Sequence, residues 1–115
     1  MGETLSGMRT DLGGKIAYAT ISLQDLLRTG AIPPDSEDLV DYTVGLRGVE
    51  VGMLFIEQAK GGAKVSFRAR NGLDCSKVAA QFGGGGHRAA AGATVAGSMS
   101  EIVERALEAV RSALS

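Results

Sequence analysis

One ten-residue segment combines the residue types that suit the binding of an anion. It reads Gly83-Gly84-Gly85-Gly86-His87-Arg88-Ala89-Ala90-Ala91-Gly92. Four consecutive glycines cost backbone entropy on folding, so an ordered run indicates backbone in a place where a side chain would intrude. The successive N–H groups of the run, followed by the His87 and Arg88 side chains, predict a concave nest for a phosphate. The alternative interpretation is a helix C-cap followed by a flexible loop.

A second group of candidates lies on one face of a predicted strand. Residues 64–70 alternate between apolar and polar side chains, which indicates a strand with one buried face. Ser66, Arg68 and Arg70 follow one another on the polar face at intervals of about 6.5–7 Å. Arginine suits bidentate contact with phosphate, and the interval is similar to the spacing of phosphates in an extended single strand. The alternative is an ordinary solvated strand face.

The sequence offers no candidate catalytic residue. His87 is its single histidine, and no cluster of Cys, Asp or Glu at ligand spacing accompanies it, so we predict no metal site. Cys75 lies on the apolar stripe of a predicted helix, which favours a core position. We therefore interpret His87 as a hydrogen-bond donor to a phosphate or base, with a surface histidine as the alternative. Arg88 is either a further contact or a surface ion-pair partner.

Composition sets broad limits on the class of protein. The 115 residues are enough for one domain, and with 4% aromatics the core must consist mainly of aliphatic side chains. A net charge of −1 argues against a broad electrostatic grip on duplex nucleic acid. The single cysteine excludes an internal disulfide and favours a cytoplasmic protein. No apolar run is long enough to span a membrane.

The elements that position these residues predict an α/β domain with a mixed sheet of about four to five strands flanked by helices. Strands are predicted at residues 16–21, 49–56, 64–70 and 91–95, and helices at residues 22–30, 35–46, 74–82 and 98–114. Lys60-Gly61-Gly62 predicts the turn of an antiparallel hairpin, and Asp74 and Ser98 are predicted N-caps. Residues 1–14 are expected to be a flexible lead-in, and residues 15–115 a single domain.

The glycine-histidine segment resembles the signature of a known family. Residues 82–93, Phe-Gly-Gly-Gly-Gly-His-Arg-Ala-Ala-Ala-Gly-Ala, are similar to that of the DHH-associated C-terminal domain, the second half of DHH-family phosphoesterases. Residues 64–70 and 74–82 resemble the strand and the helix that precede it, and the resemblance extends from about Lys15 to the last helix. It implies a substrate-binding domain whose contacts come from Ser66, Arg68, Arg70, Gly83, Gly84, Gly85, Gly86, His87 and Arg88.

Within that family the chain is most similar to bacterial oligoribonucleases that degrade very short RNAs and also dephosphorylate 3′-phosphoadenosine 5′-phosphate. The resemblance implies that an N-terminal DHH domain, with two metal ions that are typically manganese, performs the hydrolysis. This chain has no Asp-His-His sequence, so we expect it to bind without cleaving and to need no cofactor itself. The implied partners are short single-stranded RNA or a mononucleotide phosphate, the DHH domain of the same protein and, as an open alternative, a second copy.

Other functions stay open at this point. Cyclic-dinucleotide phosphodiesterases and RecJ-type exonucleases differ from the oligoribonucleases in substrate. A related domain forms the C-terminal end of alanyl-tRNA synthetases, where it supports tRNA binding and dimerisation. The histidine after the glycines argues against a domain of that kind. The remaining alternative is a structural module whose glycines pack against a partner domain.

Overall fold

The computed structural model describes residues 8–11, 15–22, 48–70 and 73–114. Its strands are β1 Met8–Asp11, β2 Ile16–Ile21, β3 Val51–Glu57, β4 Ala63–Ala69, β5 Gly85–Gly86 and β6 Ala90–Val95, and its helices are α1 Cys75–Ala80 and α2 Met99–Leu114. The predicted helices at residues 22–30 and 35–46 lie, apart from Ser22, outside the described residues. In the part of the chain that is described, no helix is long and apolar enough to cross a membrane.

The strands form one mixed sheet in the order β1-β2-β3-β4-β6-β5. β2 and β3 are parallel, and every other neighbouring pair is antiparallel. The predicted α/β class with a mixed sheet is therefore confirmed, as is the predicted β3–β4 hairpin. Among the described residues the sheet has six strands, where four to five were expected, because β1 and β5 were not predicted.

β1 corrects the expected lead-in. Met8 pairs with Ala19 and Asp11 pairs with Ile16, so these four residues form an antiparallel edge strand on β2. The expectation of a flexible lead-in is wrong at residues 8–11. A strand of four residues is too short to show an alternating pattern, and its position depends on pairing with β2.

The main core lies between one face of the sheet and the two helices. Phe55, Val65 and Phe67 project from that face, and all three are completely buried. The predicted apolar stripe of the last helix packs onto the same cluster through Ile102, Ala106, Leu107 and Val110. Cys75, Val78 and Ala79 bury one side of α1 beside them, which confirms the predicted core position of Cys75.

The opposite face of the sheet changes character from one end to the other. At the β2–β3 end, Ala19 and Leu54 are buried in a second apolar cluster. At the β4–β6–β5 end, Lys64, Thr94 and Gly85 are exposed. Alternation along β4 and β6 places the polar candidates on this exposed end, away from the helices.

Two capping interactions confirm the predicted helix starts. The Asp74 carboxylate accepts a hydrogen bond from the Ser76 N–H at 3.0 Å and one from the Ser76 hydroxyl at 2.5 Å. Ser98 and Glu101 form a reciprocal capping box, in which Glu101 N–H donates to the Ser98 hydroxyl and Ser98 N–H donates to the Glu101 carboxylate. These caps fix where α1 and α2 begin.

The Asp74 cap makes the stability of the domain depend on pH. The Ser76 hydroxyl, and after it the neighbouring backbone N–H groups, hold the pKa of Asp74 below its ordinary value of 3.8. A depressed pKa contributes stability that is complete above 3.8 and is lost as the pH falls through the lower folded-state value. Urea unfolding at about pH 6 and about pH 3 should therefore show a smaller decrease in stability for Asp74→Asn, which keeps the cap acceptor, than for the wild type. Equal decreases would contradict this assignment.

Candidate nucleotide-binding face

The four glycines differ in what the fold requires of them. Gly83 ends α1 with a φ of +80°, a conformation that favours glycine. Its N–H donates to Ala80 O at 3.1 Å, and the N–H of Gly84 donates to Ala79 O at 2.9 Å. This pair of bonds is the Schellman arrangement at a helix C-terminus. The first glycine is therefore a helix-capping residue.

Gly84 and Gly86 are glycines because β6 lies directly against them. A Cβ on Gly84 would overlap the carbonyl oxygen of Gly92 and lie 2.6 Å from the Ala93 Cβ. A Cβ on Gly86 would lie 2.6 Å from the Ala91 Cα. The absence of a side chain at both residues therefore allows β5 to lie close against β6. The sequence did not predict this strand pair.

Gly85 differs from its neighbours because a Cβ there would meet no atom within 4 Å. Its backbone is exposed, and it lies opposite Gly92 in the β5–β6 register. A side chain at this position would project into open space on the exposed face. Gly85 is thus the member of the run at which substitution can fill the site without disturbing the sheet.

Some of the N–H groups in the predicted nest are already used in hydrogen bonds within the domain. The N–H groups of Gly83 and Gly84 are bonded within the α1 C-cap, and the N–H of His87 donates to Ala90 O at 2.7 Å. These three donors are used by the fold itself. An anion at this face would have to be held mainly by side chains beside an open glycine surface.

His87 and Arg88 lie in the tight turn between β5 and β6. His87 and Ala90 exchange backbone hydrogen bonds across this turn. Ala69 N–H donates to Ala89 O at 3.0 Å, and Cys75 N–H donates to Arg88 O at 2.8 Å. The turn is thereby held both to the end of β4 and to the start of α1, while the His87 and Arg88 side chains are exposed.

The arginine strand is brought next to this turn. Arg68 pairs with Ala90, which itself bonds to His87, so all three residues lie in one row across neighbouring strands. Strands are about 4.8 Å apart, so the Cα atoms of Arg68 and His87 are about 10 Å apart. Arg70 is exposed beyond the end of β4, where its N–H donates to Glu50 O at 2.9 Å. Ser66 is on the same face but only 6% exposed, so its hydroxyl is poorly accessible.

The positive charges of Arg68 and Arg88 act on titratable groups at the start of α1. Arg88 adds to the lowering of the Asp74 pKa, after the hydrogen bonds that Asp74 accepts. Burial raises the pKa of the Cys75 thiol to about 11, although the Arg68 charge opposes this effect. A thiol with that pKa is almost entirely protonated at neutral pH and is a poor nucleophile. The Arg88 carbonyl oxygen accepts a hydrogen bond from Cys75 N–H, so the turn that carries Arg88 lies against the start of α1.

A shallow depression of about 470 Å³ lies beside the glycine run. Its lining is formed by Lys64, Gly83, Gly84, Gly85, Gly92, Ala93 and Thr94. Of the nine candidates predicted from the sequence, Gly83, Gly84 and Gly85 line it, whereas Arg68, His87 and Arg88 lie outside that lining. No carboxylate of the described residues belongs to the lining, and the exposed Lys64 ammonium is its charged group.

The lining residues that were not among the predicted candidates are Lys64, Gly92, Ala93 and Thr94. Lys64 precedes Ser66 on the polar face of the same strand, so the alternation of residues 64–70 already placed it there. Thr94 and Gly92 lie beside Lys64 and Ser66 through the β4–β6 register, which no local pattern reveals. Within the described ranges, no three His, Cys, Asp or Glu side chains are grouped so that they could hold a metal ion.

The comparison with protein families agrees with this architecture. The sequence model of the DHHA1 domain matches residues 9–115. The chain belongs to the DHHA1 domain family. The match begins within β1, six residues before the expected start at residue 15.

A curated relative of this DHHA1 domain is the "Bifunctional oligoribonuclease and PAP phosphatase NrnA" of Thermus thermophilus. The two sequences are 38% identical over an alignment that covers 100% of this chain and 34% of that protein. The domain thus spans about a third of the length of the curated relative that it matches.

Solved structures give the same result for the fold of the DHHA1 domain. An exopolyphosphatase-related protein from Bacteroides fragilis is similar over 96% of this chain and 33% of its own, with a TM-score of 0.87 and 27% identity. The pGpG-specific phosphodiesterase PggH from Vibrio cholerae is similar over 90% of this chain and 34% of its own, with a TM-score of 0.64 and 13% identity. The second likeness concerns the fold alone.

Proposed function

We propose that this DHHA1 domain holds the phosphate end of short single-stranded RNA or of 3′-phosphoadenosine 5′-phosphate, and presents it to a DHH domain of the same cytoplasmic protein. The observation that carries the proposal is the exposed sheet face. There, Arg68 and His87 lie in one row beside Gly92 and Gly85, which have no side chain to obstruct a ligand, and Arg88 follows in the adjoining turn. The relative in Thermus thermophilus, by its name, acts on oligoribonucleotides and on PAP.

The chemistry of the face suits a terminal phosphate better than a long nucleic acid. Arg68 and Arg88 supply charge-assisted donors, and His87 adds a ring N–H donor in the same row as Arg68, with the Cα atoms of the two residues about 10 Å apart. A net charge of −1 argues against an extended basic surface of the kind that duplex or folded RNA requires. A few anchoring contacts at one end are sufficient for a dinucleotide or trinucleotide.

This anchoring gives the two domains of the whole protein different roles. Holding the substrate's end fixes the position of the next phosphodiester or phosphomonoester bond, and such positioning lowers a barrier without chemistry in this domain. The divalent metal, with manganese as the expected ion, would belong to the DHH domain and activate the attacking water there. The residues of this chain would bind and orient, and the domain alone would not hydrolyse its ligand.

Titration calorimetry of the domain with a 5′-phosphorylated RNA dinucleotide tests the proposal. We expect a dissociation constant in the micromolar to millimolar range, with Arg68→Ala and His87→Ala each weakening binding by about tenfold or more because each removes a charge-assisted contact. Gly85→Val should abolish binding while the melting temperature stays close to that of the wild type, because its side chain enters open space.

Arg111→Ala is the matched control, since Arg111 lies on α2 near Glu104, on the other side of the sheet. It should bind as the wild type does. Unchanged affinity in folded Arg68→Ala, His87→Ala and Gly85→Val would overturn the proposed site. A titration with pGpG in parallel distinguishes a linear dinucleotide of that type from other short RNAs.

A further inference from the structure

The hydrogen bonds around β6 show which of its main-chain groups face the edge of the sheet. Ala89 O accepts from Ala69 N–H on the β4 side, whereas Ala90 and His87 exchange backbone hydrogen bonds on the β5 side. Along a strand, the main-chain groups of successive residues point alternately to the two neighbouring strands. Thr94 is four residues after Ala90, so its N–H and C=O also face the β5 side.

Within the described part of the chain, no strand lies beside Thr94 on that side. β5 begins at Gly85, opposite Gly92, and the preceding Gly84 donates its N–H to Ala79 O in the α1 cap. The chain therefore enters the sheet too late to pair with Thr94. Among the described residues, no backbone hydrogen bond outside the strand ladders uses the Thr94 main chain. Its N–H donor and C=O acceptor are thus open at the sheet edge, beside the depression that Thr94 lines.

The lining of the depression suits a flat occupant that forms hydrogen bonds. The glycines of the lining present bare backbone, and Thr94 adds the open N–H and C=O. Every nucleobase carries a hydrogen-bond donor next to an acceptor on its Watson–Crick edge, so a base can bond to both groups. The volume of about 470 Å³ leaves room for a base and its sugar.

The depression lies at a suitable distance from the proposed phosphate contacts. It begins at Gly85 and Gly92, which lie opposite each other. The His87–Ala90 pair is two residues further along the same strands, about 7 Å away. That interval is similar to the distance between the phosphate of a nucleotide and its base. A phosphate at His87 would therefore place its own base in the depression.

We infer that the depression binds the base of the nucleotide whose phosphate His87 holds, and that Lys64 makes guanine the preferred base. The inference rests on the proposed function, because it takes the His87 phosphate contact as given. Lys64 lies opposite Thr94 and is the charged group among the described lining residues. An ammonium group has only donors, so it favours guanine, which presents the O6 and N7 acceptors, over adenine, which presents an amino group beside N7.

Calorimetric titrations of the domain with guanosine 5′-monophosphate, adenosine 5′-monophosphate and ribose 5-phosphate test this base subsite. The wild type should bind the guanine nucleotide about fivefold more tightly than the adenine nucleotide, through the Lys64 contact. Ribose 5-phosphate should bind about tenfold more weakly than the adenine nucleotide, because it has no base to bond to Thr94. In NMR spectra the Thr94 amide signal should shift with both nucleotides and stay in place with ribose 5-phosphate.

Two changes separate the side-chain contact from the main-chain contacts. Lys64→Gln should bind both nucleotides equally and keep the wild-type affinity for the adenine nucleotide. Lys77→Gln, on the exposed side of α1, is the matched control and should keep the guanine preference. N1-methylguanosine 5′-monophosphate should bind the wild type about tenfold more weakly than the unmethylated nucleotide, because the methyl group blocks the Watson–Crick edge.

The outcomes separate this inference from the proposed function. If ribose 5-phosphate binds as tightly as the nucleotides, the base subsite is overturned while the phosphate site stands. If the wild type binds both nucleotides equally, or Lys64→Gln keeps the guanine preference, the role of Lys64 is overturned. If Arg68→Ala and His87→Ala keep full affinity while a base is still required, the phosphate site is overturned and the base subsite remains. If the folded wild type binds none of these ligands, both are overturned.

Discussion

Replacing Gly84 with valine is expected to lower the free energy of unfolding by about 3 kcal/mol, the upper part of the usual range for side chains forced into packed space. The new side chain would collide with the Gly92 carbonyl and with Ala93, both of which belong to β6. β6 is paired to β4 along its length, so it cannot move aside without breaking that ladder. Chemical denaturation monitored by circular dichroism measures the loss.

Gly85→Val is the matched control for this prediction. It introduces the same side chain one residue further along, where no atom lies within 4 Å of the new Cβ. Its stability should remain within about 0.5 kcal/mol of the wild type, as is usual for exposed substitutions. If the two variants were equally stable, β5 would not lie against β6 as the structure has it.

Replacing Phe67 with alanine is expected to lower the free energy of unfolding by about 3–5 kcal/mol, as for other large core aromatics. Phe67 is completely buried at the centre of β4, and its ring stacks on Phe82 with centroids 6.5 Å apart. The total stability of a domain is typically about 5–15 kcal/mol, so this one change removes a large part of it. Urea unfolding gives the measurement.

Phe82→Ala provides the comparison, because Phe82 is half-buried and lies at the edge of the same cluster, beneath the Arg105 guanidinium at 5.4 Å. Phe82→Ala should lower the free energy of unfolding clearly less than Phe67→Ala does. If Phe67→Ala lowered it no more than Phe82→Ala, the assignment of Phe67 to the centre of the core would be contradicted.

Elements with a strong local pattern could be predicted from the sequence. The alternation along β4, the apolar stripe of α2 and the caps at Asp74 and Ser98 were identified because strand period, helix period and capping chemistry are local properties. β1 and β5 were missed for the opposite reason. Two glycines have no intrinsic preference for a strand that the sequence could reveal. This strand forms because β6 provides its hydrogen-bonding partner.

The sequence singles out the segment that carries Gly84 and Gly85 as a candidate site, but it does not show that Gly84 packs against β6 while Gly85 faces open space. That difference depends on tertiary contacts, as does the use of the Gly83 and Gly84 N–H groups in a helix cap. Thr94 was not identified because only the β4–β6 register places it beside Lys64.

The two backbone bonds that hold the turn between β5 and β6 bear on how ligand preference can evolve. Arg88 and Ala89 are fastened through their carbonyl oxygens, to Cys75 N–H and Ala69 N–H respectively, so their side chains take no part in the anchoring. Under the proposed function, mutations at these two positions would alter size, charge or polarity beside the ligand while the main chain keeps its course. The turn would thereby separate the requirement for a fixed scaffold from the freedom to acquire a new substrate.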